Sequence, residues 1–414
     1  MEKFDIIIVG GGASGVFLSL LLKDYGLDVC LLEAKDRILK KLLTTGNGRC
    51  NITNEHVMEE IKDKYTSSNR SYDFSPLYTY TLEETLTYFN SLGLQLKTLE
   101  DHKMYPLSLQ ASSVVDTLRL SLEEKGVPVH LQTKVKTIRK QQDGFHLMTT
   151  EDKPYYCDTL IISTGGMAAP STGSDGSIFK ILKALKHQII TPMPALVQLN
   201  LSAPYLRALS GIKLDGTASL FCGDTLLRVE EGELLFTEYG ISGPPILQLS
   251  RFVHPFLNQG KSLQLRLNFF PDKKEEEVKD LFLNQFALLS HRSCQDALRS
   301  LLPGKLIPVL LKESGITKPS TPVYEVDPKH FLTLIRLLQN WEFLVTGTQG
   351  FGTAQGTYGG VDTREIKSTL ESKIIPGLYF TGEVLDVLGA CGGYNLQWAW
   401  STAGTVMKAL TNQL

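Results

Sequence analysis

Near the start of the chain, Gly10-Gly11-Gly12-Ala13-Ser14-Gly15 sets three glycines at the spacing G-x-G-x-x-G. The chemistry this spacing suits is the binding of a pyrophosphate. Gly10 permits a tight turn, Gly12 lets backbone amides approach the phosphates, and Gly15 lets a helix pack closely on the preceding strand. A helix opening at Ala13 and Ser14 then faces the anion with its first N–H groups and the positive end of its dipole. Glu33 lies eighteen residues beyond Gly15. A carboxylate there accepts hydrogen bonds from both ribose hydroxyls of an adenosine and repels a 2′-phosphate.

These residues need a strand before them and a helix after them, and the sequence supplies both. Phe4 to Val9 is an isoleucine-rich run, the pattern of a strand buried on both faces. Val16 to Leu22 suits a helix packed on a sheet, and Asp28 to Glu33 (DVCLLE) is a second buried strand. Together they make a βαβ unit of about thirty residues. Leu42 to Asn54, rich in Gly, Asn and Thr, is a loop. Helices are expected at 82–92, 112–125 and 176–185. Strands are expected at 127–132, 134–140, 145–149 and 158–163, the last ending in Thr164-Gly165-Gly166.

The style changes at Thr191, where Pro192 and Pro194 break the pattern and short alternating segments run on to Leu235. Leu263 to Phe269 alternates as a half-exposed strand does. Helical spacing follows over 273–311, with a break at Pro303-Gly304, and again over 331–338. Gly377 to Glu383 is a turn into a buried strand, and Asn395 to Leu410 is a long apolar helix. The expected fold class is α/β, with a Rossmann-like domain built from both ends of the chain, over 1–190 and 344–414. An inserted β-rich substrate domain takes 191–270 and 322–343, and a small helical subdomain takes 271–321.

The glycine motif does not separate NAD from FAD; the far end of the chain does. In flavoproteins of the glutathione-reductase type, a late strand ends in a glycine and an acid that binds the ribityl chain, and a helix start points at the flavin pyrimidine. Thr381-Gly382-Glu383, followed by Gly392-Gly393-Tyr394-Asn395 and an apolar helix, looks like that arrangement. N–H groups there stabilise negative charge at N1 and O2 of reduced flavin. No second G-x-G-x-x-G occurs. Gly350 to Gly360 is glycine-rich but follows no buried strand and opens no clear helix, so NAD(P)H, if it reduces the flavin, binds transiently over the ring.

Other chemistries find less support. The six cysteines form no C-x-x-C pair, which argues against a zinc site and a dithiol and fits a reducing compartment. The eight histidines have no metal-like spacing, and no G-x-S-x-G elbow supports a hydrolase. A formal charge of −2 gives no pull toward nucleic acid or anionic lipid. The N-terminus lacks a basic leader and no apolar stretch is long enough to span a bilayer, so a cytoplasmic location is expected. The expected partner is a small-molecule substrate, with neither nucleic acid nor membrane; oligomeric state is left open.

Five segments spread over nearly the whole chain carry a family resemblance. They are the N-terminal glycine motif, Thr45-Gly46-Asn47-Gly48-Arg49-Cys50-Asn51-Ile52-Thr53-Asn54, and Phe236 through Pro244 (FTEYGISGP). The others are Glu371-Ser372-Lys373 and Gly382 through Gln397. Together they resemble the bacterial aminoacetone-oxidase-like and bile-acid-reductase-like FAD-binding oxidoreductases, a three-domain flavoprotein group. The resemblance implies FAD. It implies that Gly46 to Asn51 line the flavin ring and pyrophosphate and that Val135 meets adenine through its backbone. Thr164 and Gly165 would pass near the adenosine, and Glu383 would hold the ribityl chain. The expected contacts also include Ala34 and Lys35 beside Glu33, then Lys41, Thr45 and Gly166. At the late helix start they include Gly393, Tyr394, Asn395 and Leu396. Many relatives carry His where this chain has Glu238, so a substrate contact there implies a different preference.

Several residues admit two readings. Arg49 and Asn51 either hold a substrate carboxylate or the flavin phosphates, or Arg49 braces its loop. Glu238 and Tyr239 either close a pocket over the flavin or begin a domain-packing helix, with Ser242 as N-cap ahead of Pro244 and Pro245. Tyr358 is either a site residue or core packing, and Cys50 either a redox thiol or a core filler. The leading function is an FAD-dependent oxidoreductase with hydride transfer at flavin N5, either oxidising an amine-like substrate or reducing one with NAD(P)H. An FAD-dependent nucleic-acid-modifying enzyme is the alternative, and a flavin-binding regulator without turnover is the third.

Overall fold

A computed structural model describes residues 2–59 and 61–412. The chain divides into two compact units, Met1–Ala195 with Phe351–Leu414, and Leu196–Gly350.

The first unit is built on a seven-stranded sheet. Glu2–Val9 lies parallel between Val29–Leu32 and Pro154–Ile162, with Ile7 opposite Cys30 on one side and Leu160 on the other. Val129–His130 extends the parallel part beyond Val29–Leu32, and Leu378–Phe380 adds a parallel partner to Pro154–Ile162. Gly144–Thr149 and Val135–Gln141 continue antiparallel. Ile6, Ile7 and Ile8 are buried because both faces of the sheet are covered, which is why that run reads apolar without alternation. The helix Ala13–Asp24 follows the first strand and packs against the C-terminal helix Tyr394–Leu410, with Phe17 5.0 Å from Trp400 between ring centroids. The strand Ile189–Ala195 pairs antiparallel with Gly356–Val361, so the later part of the glycine-rich stretch is itself a strand.

The second unit is a closed antiparallel barrel. Its strand order is Leu199–Ser202, Gly240–Ser242, Thr225–Thr237, Lys213–Cys222, Leu263–Asn268, Trp341–Thr348. Leu263, Leu265 and Leu267 point inward, as the alternation predicts. The helices Glu275–Leu288, Cys294–Leu298, Leu306–Glu313 and Pro328–Gln339 join the barrel in one apolar core, with Phe286 stacked on Phe331 at 4.0 Å.

Three sequence expectations are corrected. Residues 191–195 belong to the first unit because their strand runs on to Ala195, and 344–350 belong to the second because Trp341–Thr348 completes the barrel. Residues 271–321 form no compact unit of their own, since their helices bury their apolar faces in the barrel's core. Ser242 does not cap the following helix: Gly243, at φ 110°, is the N-cap, and Pro244 and Pro245 occupy the first turn without a side-chain cap.

Candidate functional site

The glycine turn is built by close approach. A Cβ on Gly15 would lie 2.0 Å from the Gly10 carbonyl, and one on Gly10 2.5 Å from the Ser163 carbonyl, so strand, turn and helix can meet only without side chains there. Gly12 is the N-cap of Ala13–Asp24, which has no side-chain cap and no acid in its first turn. Its first N–H groups are therefore left for an anion. Glu33 is 8% exposed, and its carboxylate is fixed by two backbone donors: Gly11 N–H to Oε2 and Lys35 N–H to Oε1, each 2.7 Å.

The other end of the chain arrives beside this turn. Leu378–Phe380 delivers Thr381, whose hydroxyl lies 2.5 Å from that of Ser163. Gly382 N–H donates to the Thr402 hydroxyl at 2.9 Å, and the Trp398 indole donates to the Gly382 carbonyl at 3.2 Å. A Cβ on Gly382 would come within 2.7 Å of Ser14 Oγ, so the first turn of Ala13–Asp24 abuts the Gly382–Glu383 corner. Lys41 Nζ donates to Glu383 Oε2 at 2.6 Å. Glu383 Oε1 and Thr164 Oγ1 are buried without a hydrogen-bond partner.

One cleft collects these groups. It is lined by Gly10, Gly12, Ala13, Ser14, Glu33 and Ala34 from the first βαβ unit, and by Lys41 and Thr45 from the loop. Val135, Thr164 and Gly165 line its middle, and Gly382, Glu383, Asn395 and Leu396 its far end. The C-terminal helix begins there with the left-handed Gly393 (φ 99°) as N-cap and no side-chain cap.

Ten expected contacts do not line the cleft, and each has another place. Gly15 is packed beneath Gly10, Lys35 meets Glu33 through its backbone, and Gly166 lies against Thr357. Gly46 leaves room for the Asn51 N–H and the Tyr105 ring, and Gly48 is a left-handed turn residue (φ 81°). The Arg49 guanidinium sits over the Tyr105 ring, 5.1 Å from its centroid, and so braces the loop. Cys50 is fully buried, and that burial pushes its thiol up to about 12, which disfavours the thiolate at neutral pH. The Asn51 amide donates to the carbonyls of Thr53 (2.9 Å) and Met104 (3.1 Å) and accepts from Gly393 N–H (3.0 Å). The carbonyl of Tyr394 accepts from the Tyr65 hydroxyl at 2.8 Å.

Neighbouring residues complete this scaffold. Thr53 Oγ1 donates to Gln397 Oε1 at 2.7 Å, and Gln397 Nε2 donates to Thr85 Oγ1 and Ser401 Oγ. Asn54 Nδ2 reaches the Gly392 carbonyl at 3.2 Å, and the Trp400 indole donates to the Ile52 carbonyl. The two most distinctive polar motifs of the sequence thus interlock, and together they fix where the C-terminal helix starts.

Of the catalytic candidates, Tyr358 is half-buried on Gly356–Val361, outside the cleft lining, with its phenol pushed up by burial. Glu238 and Tyr239 form the exposed hairpin turn before Gly240–Ser242 in the second unit.

Sequence reasoning missed the cleft wall at 172–178, along with Arg37, Lys40 and Lys134. There Gly176 caps the helix Ser177–Ala184, and Asp175 accepts from Ser177 N–H while pairing with Lys134 at 2.6 Å. Gly173 faces Glu33. The run Gly173-Ser174-Asp175-Gly176-Ser177 ahead of an apolar segment was the available signal of a helix start.

These residues fit FAD. The start of Ala13–Asp24 would take the pyrophosphate, Glu33 the adenosine ribose, and the orphaned Glu383 Oε1 a ribityl hydroxyl, with the start of the C-terminal helix at the pyrimidine. Fold and cleft define the class: a Rossmann-type, FAD-dependent oxidoreductase. Among the described residues, no group of three or more His, Cys, Asp or Glu is arranged to hold a metal ion, and no helix is long and apolar enough to cross a membrane.

Known proteins place the chain more narrowly. The HI0933-like protein Rossmann domain family matches residues 4–409. The 3-dehydro-bile acid delta(4,6)-reductase of Clostridium scindens is 37% identical over 399 residues, 95% of this chain and 96% of that protein. The ribosomal RNA dihydrouridine synthase of Escherichia coli is 33% identical over 405 residues, 97% of each. Among solved structures, a 3-ketosteroid delta1-dehydrogenase from Sterolibacterium denitrificans superposes with a TM-score of 0.51 at 12% identity, covering 100% of both chains, a likeness of fold. This chain belongs to the HI0933-like Rossmann-domain family.

Proposed function

We propose that this protein is a reductase that uses FAD and transient NAD(P)H to add hydrogen across a carbon–carbon double bond of a small organic molecule. The observation that supports it most directly is the orphaned Glu383 Oε1, in one cleft with the glycine turn and the bare start of the C-terminal helix. Bound flavin supplies hydride transfer at N5. The chain's part is positioning and electrostatics. Glu383, oriented by Lys41, holds the ribityl chain in place, and the first-turn N–H groups of Asn395 and Leu396 stabilise negative charge at the pyrimidine. One carbon of the substrate's double bond gains the hydride and the other a proton, while NAD(P)H is oxidised.

The reductive direction draws on the names of the two full-length relatives described above, each of which describes hydrogen added to an unsaturated ring. The second name also supports a second reading, reduction of a base in RNA, against which the net charge of −2 weighs. Oxidation of an amine-like substrate by O2 is the remaining form of the chemistry. Anaerobic titration of the holoprotein separates them. NADH or NADPH is expected to bleach the flavin, and a 3-oxo-4,6-diene bile acid is expected to restore its colour. Colour restored by uridine-containing RNA alone would support the second reading. Bleaching by aminoacetone but by neither pyridine nucleotide would overturn the reductase.

A further inference from the structure

Asp386 lies three residues past Glu383, on the segment that leads to the start of the C-terminal helix. It is 1% exposed, yet the donors to its carboxylate are all neutral. Oδ2 accepts from Ser68 N–H at 2.9 Å, from Ser67 Oγ at 3.2 Å, and from Ser68 Oγ in a short contact. Burial, with Asp362 adding repulsion, pushes its carboxyl up to about 6 against the pull of the serine donors. The other charged and titratable groups around it are Arg364, held by Asp362, and Tyr358, which in turn faces Arg70.

The serines that grip Asp386 continue a segment that reaches the helix start. Thr66 pairs with Leu388 and Tyr65 with Gly389, and Ala390 N–H donates to the Lys64 carbonyl at 2.7 Å. The Tyr65 hydroxyl donates to the carbonyl of Tyr394, the first residue of the helix, and Asn395 Nδ2 binds the carbonyls of Gly389 and Ala390. One continuous set of contacts therefore runs from Asp386 through 64–68 to the cleft.

We propose that Asp386 is a positioning residue, a buried carboxyl latch whose grip on Ser67 and Ser68 holds 64–68 against 388–390 and so fixes the start of the C-terminal helix. Only the consequence for flavin rests on the reading given above; the latch itself is a property of the fold. The sign follows from where the proton is favoured. The closed segment buries the carboxyl and favours its protonated form, whereas an opened segment lets water reach it and returns it toward its ordinary value of 3.8. Raising the pH from about 3.8 to about 6 therefore shifts the balance toward opening, and above that the shift levels off. A difference of about two pK units sets the ceiling at roughly a hundredfold in the closed-to-open ratio.

Hydrogen exchange of the holoprotein between pH 5 and 7.5 tests this, corrected for intrinsic rates and referred to amides of the central sheet. In the wild type, protection at 66–68 and 388–390 is expected to fall several-fold, and by about tenfold at most over this range, as the pH rises. Asp386→Asn keeps an acceptor without a charge and is expected to hold high protection at both ends of the range. Ser68→Ala removes a donor that favours ionisation and is expected to move the midpoint to higher pH. A flat wild-type profile, a pH dependence that survives Asp386→Asn, or an unmoved midpoint in Ser68→Ala would each overturn the latch. None of these measurements depends on turnover, so their failure leaves the reductase reading standing, and a failed turnover assay leaves the latch standing.

Discussion

Replacing Lys41 by methionine is the most direct probe of the cleft. Lys41 Nζ lies 2.6 Å from Glu383 Oε2, with the two side chains 25% and 20% exposed. The contact does two things: it neutralises a carboxylate in a largely buried position, and it occupies one oxygen so that Oε1 alone is left unpaired. A hydrogen bond between charged groups contributes about 1.5–3 kcal/mol net. At 1.4 kcal/mol per decade, losing its orienting effect should raise the dissociation constant for FAD roughly 10- to 150-fold. Titrating apoprotein with FAD and following the quenching of flavin fluorescence measures this without turnover. Lys41 acts through Glu383, so the two substitutions must not add: Lys41→Met combined with Glu383→Gln should bind FAD no worse than the weaker single variant. A Lys41→Met protein that binds within threefold of the wild type would refute the reasoning. So would strict additivity in the double variant.

Three further outcomes follow from the same geometry. Gly404→Ala places a methyl within 2.1 Å of the buried Tyr80 ring, so the C-terminal helix must shift. Overpacking of this kind costs about 1–3 kcal/mol, and a melting temperature within a degree of wild type would contradict the packing. Gln397→Leu strips partners from Thr53, Thr85 and Ser401 at the centre of the motif interlock. It should lower stability by roughly 2–5 kcal/mol, which urea denaturation of the holoprotein would measure. Cys50, its thiol pushed up to about 12, should resist iodoacetamide at pH 8 until the protein is unfolded; rapid labelling of the native state, located by peptide mapping, would contradict that burial.

How far the sequence could be read depended on whether a residue's role was set by its neighbours in the chain or by distant ones. Phe4 to Val9, the glycine turn and Glu33 were legible because the βαβ unit is local: its run, its spacing and its acid lie within about thirty residues. The loop at 42–54 was recognisable by residue type but not by role. Asn51 looks like a ligand contact in the sequence, whereas its amide accepts from Gly393 N–H and its neighbour Thr53 binds Gln397, each more than three hundred positions away. The barrel was seen only as β-rich, because its closure depends on pairing Leu199–Ser202 with Trp341–Thr348 across the whole insertion, and no local pattern records that register. Residues 191–195 misled for a related reason. Their prolines suggest a break, but the strand tolerates them beside a register shift between Ile190 and Met193.

The convergence of both ends of the chain on one cleft is a consequence of the sheet. Four of the parallel strands end on the same edge, and each delivers a cleft-lining residue just past its last position. Gly10 follows Val9, Glu33 follows Leu32, Thr164 lies two residues beyond Ile162, and Gly382 two beyond Phe380. Register enforces this: Val9 is opposite both Leu32 and Ile162, and Ile162 is opposite Phe380. The carboxyl edge of such a sheet is where helix starts and unsatisfied N–H groups accumulate. A late strand added in parallel register to Pro154–Ile162 therefore has no other place to put its acid. A one-residue slip of Leu378–Phe380 would turn its buried side chains to the opposite face and carry Glu383 about 3.3 Å along the strand, out of reach of Lys41. The position of Glu383 is thus specified by strand pairing as much as by its own chemistry, and motif spacing across so long an insertion need not be conserved for the cleft to form.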